Sequence, residues 1–228
     1  MILDQHFIFV ATPLPKWVTG KMVVTLGEYI RDNYHTVKEY FADTRYTQLK
    51  CVDLMSGEGA ITPQMSLLTK IHTIGYEISE KRYKSALERF KNISNVSVKH
   101  SDIFSRGFIR NELLPLRGKV YAVVMNPAYE SIVAALAIAR EMLYINGIII
   151  FVAPTIYFDT VIKRERWLQI SKLKFLAEYR LGKVNWNGNI KNQKNMTPDS
   201  IFVMKNTIKI DPTMGHWTQN YREEHENR

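Results

Sequence analysis

Short apolar runs alternate with longer amphipathic stretches along most of the chain. Residues 50–55 (KCVDLM) form a compact run that ends at two closely spaced glycines, the pattern of a buried strand entering a tight turn. Residues 62–68 open a helix, 71–77 (IHTIGYE) read as a second strand, and 79–90 follow as a surface helix with a serine cap and a Glu/Lys/Arg face. A short third strand is expected at 96–99 and a strong fourth at 120–125 (VYAVVM). Residues 131–144 (SIVAALAIAREMLY) predict a helix packed on the sheet, and 147–153 (GIIIFVA), the most apolar run, a central strand. A helix over 161–170 and strands near 175–183 and 200–205 complete the set.

This alternation predicts an α/β fold, a mostly parallel sheet of seven strands with helices on both faces. Ahead of it, residues 16–41 are helix-like; after it, 211–228 are polar, carry a Pro and a Gly, and read as a loose tail. The expected organisation is an N-terminal helical segment (1–45), a core domain (46–210) and the tail (211–228). In such open sheets ligands bind beyond the carboxyl ends of the strands, so the residues just after each strand carry the most information.

Composition narrows the class. The 228 residues are 46% hydrophobic and 23% charged, enough for a sizeable core and unlike a disordered chain. Lys and Arg number 31 against 22 Asp and Glu, a formal charge of +9 that favours a polyanionic partner. The single cysteine, Cys51, excludes a disulfide framework and a Cys-based zinc cluster, and points to a reducing, cytoplasmic setting. Cys51 lies inside the first strand and reads as a small core residue, not a nucleophile. No run reaches the roughly 20 apolar residues of a membrane span, and the N-terminus lacks the pattern of a signal peptide. His6, His35, His72, His100, His216 and His225 show no ligand spacing, so no metal site is expected.

Four strand ends carry candidate chemistry. The first is Asp53-Leu-Met-Ser-Gly57-Glu-Gly59, where two glycines let the backbone turn sharply and approach a ligand. A dinucleotide fingerprint would need a third glycine at position 62, which is Thr62. The second strand ends at Glu77, 24 residues after Asp53, either a ribose-accepting acid or a solvated helix-capping carboxylate. After the third, Asp102 could accept from an adenine amino group, with Ile103 or Phe104 covering the ring. The fourth ends in Asn126-Pro127-Ala128-Tyr129. As a bare pattern this is a turn; at a strand end, the Asn side-chain oxygen and the Pro carbonyl form an acceptor pair suited to an exocyclic amine, and Tyr129 offers a face for stacking.

These residues resemble a class I S-adenosylmethionine-dependent methyltransferase of the amino-methylating group. Asp53 to Gly59 is similar to that family's cofactor loop, Glu77 to its ribose-binding acid and Asp102 to the acid beside adenine. Asn126-Pro127-Ala128-Tyr129 is similar to the Asn/Asp-Pro-Pro-Tyr/Phe catalytic motif, with Ala128 where a second proline is usual. Thr12 and Pro13 resemble the Thr-Pro segment that contacts the methionine end of the cofactor. Motif by motif, the resemblance spans residues 11 to 205. It implies a Rossmann-like fold, S-adenosyl-L-methionine as cofactor, and direct transfer of a methyl group to the N6 amine of adenine, with Asn126, Pro127 and Tyr129 catalytic. Loss of the second proline is expected to relax the backbone after Pro127, which leaves a catalytically lapsed relative as an alternative.

Charge position bears on the acceptor. Residues 160–198 hold nine basic side chains against Glu165 and Glu178, a net +7, most of the chain's excess. Within them lies an amide-rich loop with Trp186, Lys191 and Lys194, which the resemblance places beside the target base. A basic surface collects phosphates and Asn or Gln side chains read adenine edges, so the expected acceptor is nucleic acid, DNA favoured and RNA possible. A solvated surface loop is the plain alternative. A second acceptor class is a protein glutamine amide, methylated by related Asn-Pro-Pro-Tyr enzymes.

Overall fold

The structure is a computed structural model that describes residues 15–32, 49–160, 165, 172–184 and 198–207. Helix α1 (Lys16–Asp32) precedes β1 (Lys50–Leu54), α2 (Thr62–Thr69), β2 (Thr73–Glu77), α3 (Glu80–Phe90) and β3 (Val96–His100). A helical run α4 follows, built from Arg106–Phe108, a π-turn at Ile109–Leu113 and Leu114–Leu116. Then come β4 (Val120–Met125), α5 (Ile132–Met142), β5 (Leu143–Pro154), β6 (Leu173–Gly182) and β7 (Asp199–Asn206).

The seven strands form one sheet in the order β3-β2-β1-β4-β5-β7-β6. Strands β1 to β5 run parallel to one another, and β7 runs antiparallel to both β5 and β6. The chain lays β2 and β3 on one side of β1, then returns to place β4 on the other. That reversal opens a crevice beyond the carboxyl ends of β1 and β4, where ligands bind in sheets of this kind.

Both faces of the sheet are covered, as near-continuous apolar strands require. Val52, Leu54, Val123, Met125, Ile149, Phe151, Phe202 and Met204 face α5 and α4. Cys51, Ala122, Val124, Ile148, Ile150, Val152, Ile201 and Val203 face α1 and α2. In α1, Val18, Met22 and Leu26 recur every fourth residue and are fully buried, each contributing roughly 1.5–3 kcal/mol of apolar burial. Cys51 is completely buried, and desolvation pushes its thiol up to about 12. Among the described residues no helix is long and apolar enough to cross a membrane, and no cluster of acidic, His and Cys side chains could hold a metal ion.

Three local features differ from the sequence expectation. The helix expected over 131–144 ends at Met142, and β5 begins at once, earlier than its apolar run suggests. Its pairing to β4 jumps from Val120↔Leu143 to Ala122↔Ile148, a bulge with Asn146 at φ 67°. Distant side chains satisfy the bulged carbonyls: Asn206 Nδ2 donates to Leu143 and Tyr144, and the Tyr29 hydroxyl to Asn146 at 3.0 Å. Such partners leave no periodic trace in the sequence. The run α4 is absent from the elements expected above; Pro115 lies in its last segment, Leu114–Leu116. Of the N-terminal helix expected to residue 41, the described part ends at Asp32. Apart from residue 165, the helix expected at 161–170 lies outside the described residues, as does the tail.

Candidate functional site at the carboxyl end of the sheet

The loop after β1 is shaped by left-handed backbone at Met55 (φ 63°), Gly57 (φ 59°) and Gly59 (φ 74°). Only glycine takes that conformation without steric cost. The Ser56 amide donates to the Tyr76 carbonyl at 2.8 Å and the Gly59 amide to the Ser56 carbonyl at 2.9 Å, so the loop folds over the end of β2. Gly75, inside β2, makes room for this. A Cβ there would lie 2.9 Å from Ser56 Oγ and 3.3 Å from Thr62 Oγ1. A glycine inside a strand pattern is the signal that could have drawn attention to it.

Glu77 is buried, 3% exposed, at the end of β2. Gly57 N–H donates to its Oε2 at 2.8 Å, Ser79 N–H donates to Oε1 at 2.7 Å, and Arg82 Nε stands 3.5 Å away. The carboxylate therefore joins the glycine loop to the start of α3, and is not a solvated cap. Two N–H bonds occupy about half of its roughly four acceptor positions, leaving capacity for hydroxyl donors.

Asp53 does not face the crevice. It is 3% exposed, and the Thr62 hydroxyl donates to its Oδ2 at 2.7 Å. Thr62, which the sequence marked only as a missing glycine, thus ties the first turn of α2 to the end of β1. Burial, with a smaller contribution from the Glu77 charge, pushes the Asp53 carboxyl up to about 7. Because the folded value lies above the unfolded one, near 3.9, stability from this group is complete below about pH 4 and is lost as pH rises toward 7. Asp53→Asn should flatten this dependence, so its thermal midpoint approaches or exceeds that of the parent above pH 7. Scanning the midpoint from pH 4 to 8 checks it; parallel curves for the two proteins would refute it.

On the next strand, Asp102 accepts from the Phe104 N–H at 2.9 Å, and Ser101 N–H donates to the Glu77 carbonyl, also at 2.9 Å. Ile103 is a core residue, 4% exposed, whereas Phe104 is exposed at the surface. Of the two candidates for covering a ring, Phe104 has the accessible face.

Leu54 pairs with Met125, so the glycine loop and Asn126 leave the sheet side by side. Asn126 is half-buried, and no described residue hydrogen-bonds its side-chain amide. Pro127 is buried, and Ala128 follows at φ −60°, ψ 143°. That φ is the value a proline ring would impose. The Ala128 carbonyl accepts from both the N–H and the hydroxyl of Ser131, each at 2.9 Å. Ser131 therefore bonds the turn twice, at a φ that a second proline would also impose. Ala128→Pro should be accepted, stabilising by about 0.4–1 kcal/mol through the unfolded chain. A lower thermal midpoint for that variant would count against a proline-compatible turn.

The Tyr129 hydroxyl donates to Asp199 Oδ1 at 2.8 Å, and the Tyr157 hydroxyl donates to the Tyr129 carbonyl at 3.3 Å. Asp199, 70 positions away, and Tyr157 were not among the sequence candidates. No local pattern could have paired them with Tyr129. The remaining candidates, Thr12, Pro13, Trp186, Lys191 and Lys194, lie outside the described residues. The described part of the basic segment, Lys172, Lys174, Arg180 and Lys183, is exposed in and beside β6 at the sheet edge.

The structure brings together Gly57, Gly59, Glu77, Asp102, Asn126, Pro127 and Tyr129 at one end of the sheet, with Asp53 behind the loop. No protein-family model matches the sequence, and a search of curated proteins finds no significant match. Solved structures do match. A candidate RNA methyltransferase from Pyrococcus horikoshii superposes with a TM-score of 0.56 at 13% identity, covering 84% of this chain and 84% of that one. Geranyl diphosphate C-methyltransferase from Streptomyces coelicolor A3(2), solved with Mg2+, geranyl diphosphate and S-adenosyl-L-homocysteine, gives 0.54 at 11% identity over 71% of this chain and 72% of its own. A geranyl diphosphate methyltransferase complex with S-adenosylmethionine gives 0.52 at 12% identity over 71% and 79%. At such low identity the likeness is one of architecture, and the architecture is the Rossmann-like fold of S-adenosylmethionine-dependent methyltransferases.

Proposed function

We propose that this chain is an S-adenosylmethionine-dependent N-methyltransferase acting on the N6 amine of adenine in nucleic acid. The observation that carries the reading is the Asn126 amide, half-buried and without a described hydrogen-bond partner, at the carboxyl end of β4 beside the glycine loop and Tyr129.

The residues present suit the cofactor. The left-handed turns at Gly57 and Gly59 bring bare backbone to the crevice, and Glu77, held by the Gly57 amide, keeps acceptor capacity for ribose hydroxyls. Asp102 and Phe104 on the adjoining strand end offer an acceptor and an apolar face for adenine. Asp53 contributes through the loop, by bracing it to Thr62. When bound, S-adenosylmethionine supplies a methyl group on a sulfonium centre.

The other roles belong to the chain. The Asn126 side-chain oxygen and the Pro127 carbonyl accept from the two N–H bonds of the amine, which orients its lone pair and favours the positive charge that grows on nitrogen. The Tyr129 ring stacks on the base and limits its rotation, so the reacting atoms meet in line. Exposed Lys172, Lys174, Arg180 and Lys183 supply positive charge at the sheet edge that would attract phosphates. An adenine within a duplex must leave the stack to reach such a site; an unpaired adenine reaches it at lower cost.

The test is incubation with labelled S-adenosylmethionine and, separately, single- and double-stranded DNA, RNA and protein, followed by nucleoside and amino-acid analysis. N6-methyladenosine or its deoxy form is the expected product, and its carrier distinguishes DNA from RNA. Label in a glutamine amide, or no label with cofactor bound, would overturn the adenine reading.

A further inference from the structure

The aromatic wall of the acceptor site is held from the opposite side of the sheet end by a buried carboxylate. We infer that Asp199 is a positioning residue, one that sets the plane of the Tyr129 ring through the tyrosine hydroxyl. This rests on the function proposed above.

Asp199 is 1% exposed and is the first residue of β7. It stands in register with Pro154 of β5 on one side and Gly182 of β6 on the other, so its backbone is fixed by two strands. A carboxylate so deeply buried needs hydrogen-bond donors, and the Tyr129 hydroxyl is one, at 2.8 Å. The backbone of Tyr129 is held as well: its carbonyl accepts from Tyr157, which follows β5. Restraint at the carbonyl and at the phenol oxygen leaves little freedom to the two side-chain torsions between them. A ring used for stacking needs this restraint, because its face must not turn.

The fold supplies the restraint in a definite way. Tyr129 follows β4 and Asp199 opens β7, on either side of β5 in the sheet order. The bond therefore ties the turn bearing Asn126 and Pro127 to the antiparallel end of the sheet, where the basic segment 160–198 finishes. Removing either partner should leave Glu77 and the glycine loop untouched, since they stand at the ends of β2 and β1, separated from β7 by β4 and β5.

The test is steady-state methyl transfer from S-adenosylmethionine to an adenine-containing single-stranded oligonucleotide, in DNA and RNA forms, with Tyr129→Phe, Asp199→Ala, Asp199→Asn and the Tyr129→Phe/Asp199→Ala double variant. Tyr129→Phe keeps the ring and loses the hydroxyl; it should lower kcat by roughly tenfold, with the KM for S-adenosylmethionine unchanged. Asp199→Ala should match it, the double variant should be no worse than the worse single one, and Asp199→Asn, which keeps an acceptor oxygen, should stay within about threefold of the parent. A merely structural bond would lower the thermal midpoints while leaving kcat of the folded protein unchanged, and that result would overturn the inference. So would additive losses in the double variant. If Asp199→Ala does not fold, Tyr129→Phe and Asp199→Asn still decide. A folded parent protein that binds S-adenosylmethionine and methylates neither oligonucleotide removes the proposed function, and this role with it.

Discussion

Asn126→Ala is expected to lower the rate of methyl transfer by a factor of about 10²–10³, the cost of deleting one preorganised polar contact to a transition state. Affinity for S-adenosylmethionine should stay close to that of the parent. Among the described residues none hydrogen-bonds the Asn126 amide, so its removal breaks no hydrogen bond among them. Pro127 and the Ser131-pinned carbonyl of Ala128 keep the turn in place without it. On the function proposed above, the variant loses one of two acceptors for the amine and leaves the Pro127 carbonyl alone. Asn126→Asp keeps an acceptor oxygen and should retain more activity than the alanine variant. Labelled-methyl incorporation and calorimetric cofactor titration measure the two quantities separately. Unchanged turnover in Asn126→Ala would remove the observation on which the proposed function stands.

Gly59→Ala should be the most damaging conservative change in the glycine loop. A Cβ at Gly59 would lie 2.0 Å from Phe90 Cζ and 2.8 Å from its Cε1, and the backbone there has φ 74°. Phe90 cannot swing clear at no cost, because it is packed with Ala86 and Val98 between α3 and β3. A left-handed alanine costs about 1–2 kcal/mol and overpacking typically 1–3 more, so the expected loss is roughly 2–5 kcal/mol. At this chain length that corresponds to a fall in thermal midpoint of roughly 5–15 °C. Gly57 is the internal control. It has φ 59° but nothing within 4 Å of an added Cβ, so Gly57→Ala should carry the backbone cost alone. Phe90→Ala should relieve part of the Gly59→Ala loss, giving a less-than-additive double variant. Equal midpoints for Gly57→Ala and Gly59→Ala would show that the Phe90 contact is not limiting. On the function proposed above, both variants should weaken S-adenosylmethionine binding, since the Gly57 amide of this loop holds Glu77.

Much of this site is legible in the sequence. Gly57, Gly59, Glu77, Asp102 and Asn126 stand out because each follows an apolar run, and strand ends are where such sheets bind ligands. The geometry of the individual side chains was less legible. Asp53 and Glu77 are both acids at strand ends, yet one is turned toward Thr62 and the other toward the Gly57 amide. Ile103 and Phe104 were interchangeable as ring covers until burial separated them. Ala128 reads as a loosened turn because the sequence shows the missing ring and not the Ser131 hydroxyl that bonds its carbonyl.

The sequence by itself determined the alternation of strands and helices, the mostly parallel α/β class and the positions of the glycine loop and the Asn-Pro-x-Tyr turn. These depend on apolar periodicity and backbone preference, which act over a few residues and are written locally. Tertiary structure alone decided the strand order, the crevice it opens between β1 and β4, and the bond from Tyr129 to Asp199 across 70 positions. It also decided that Thr62, Gly75 and Ser131 support the site. The physical reason is common to all of them: a strand carries no mark of its neighbour, and a buried polar group takes whichever donor the packed chain brings within reach.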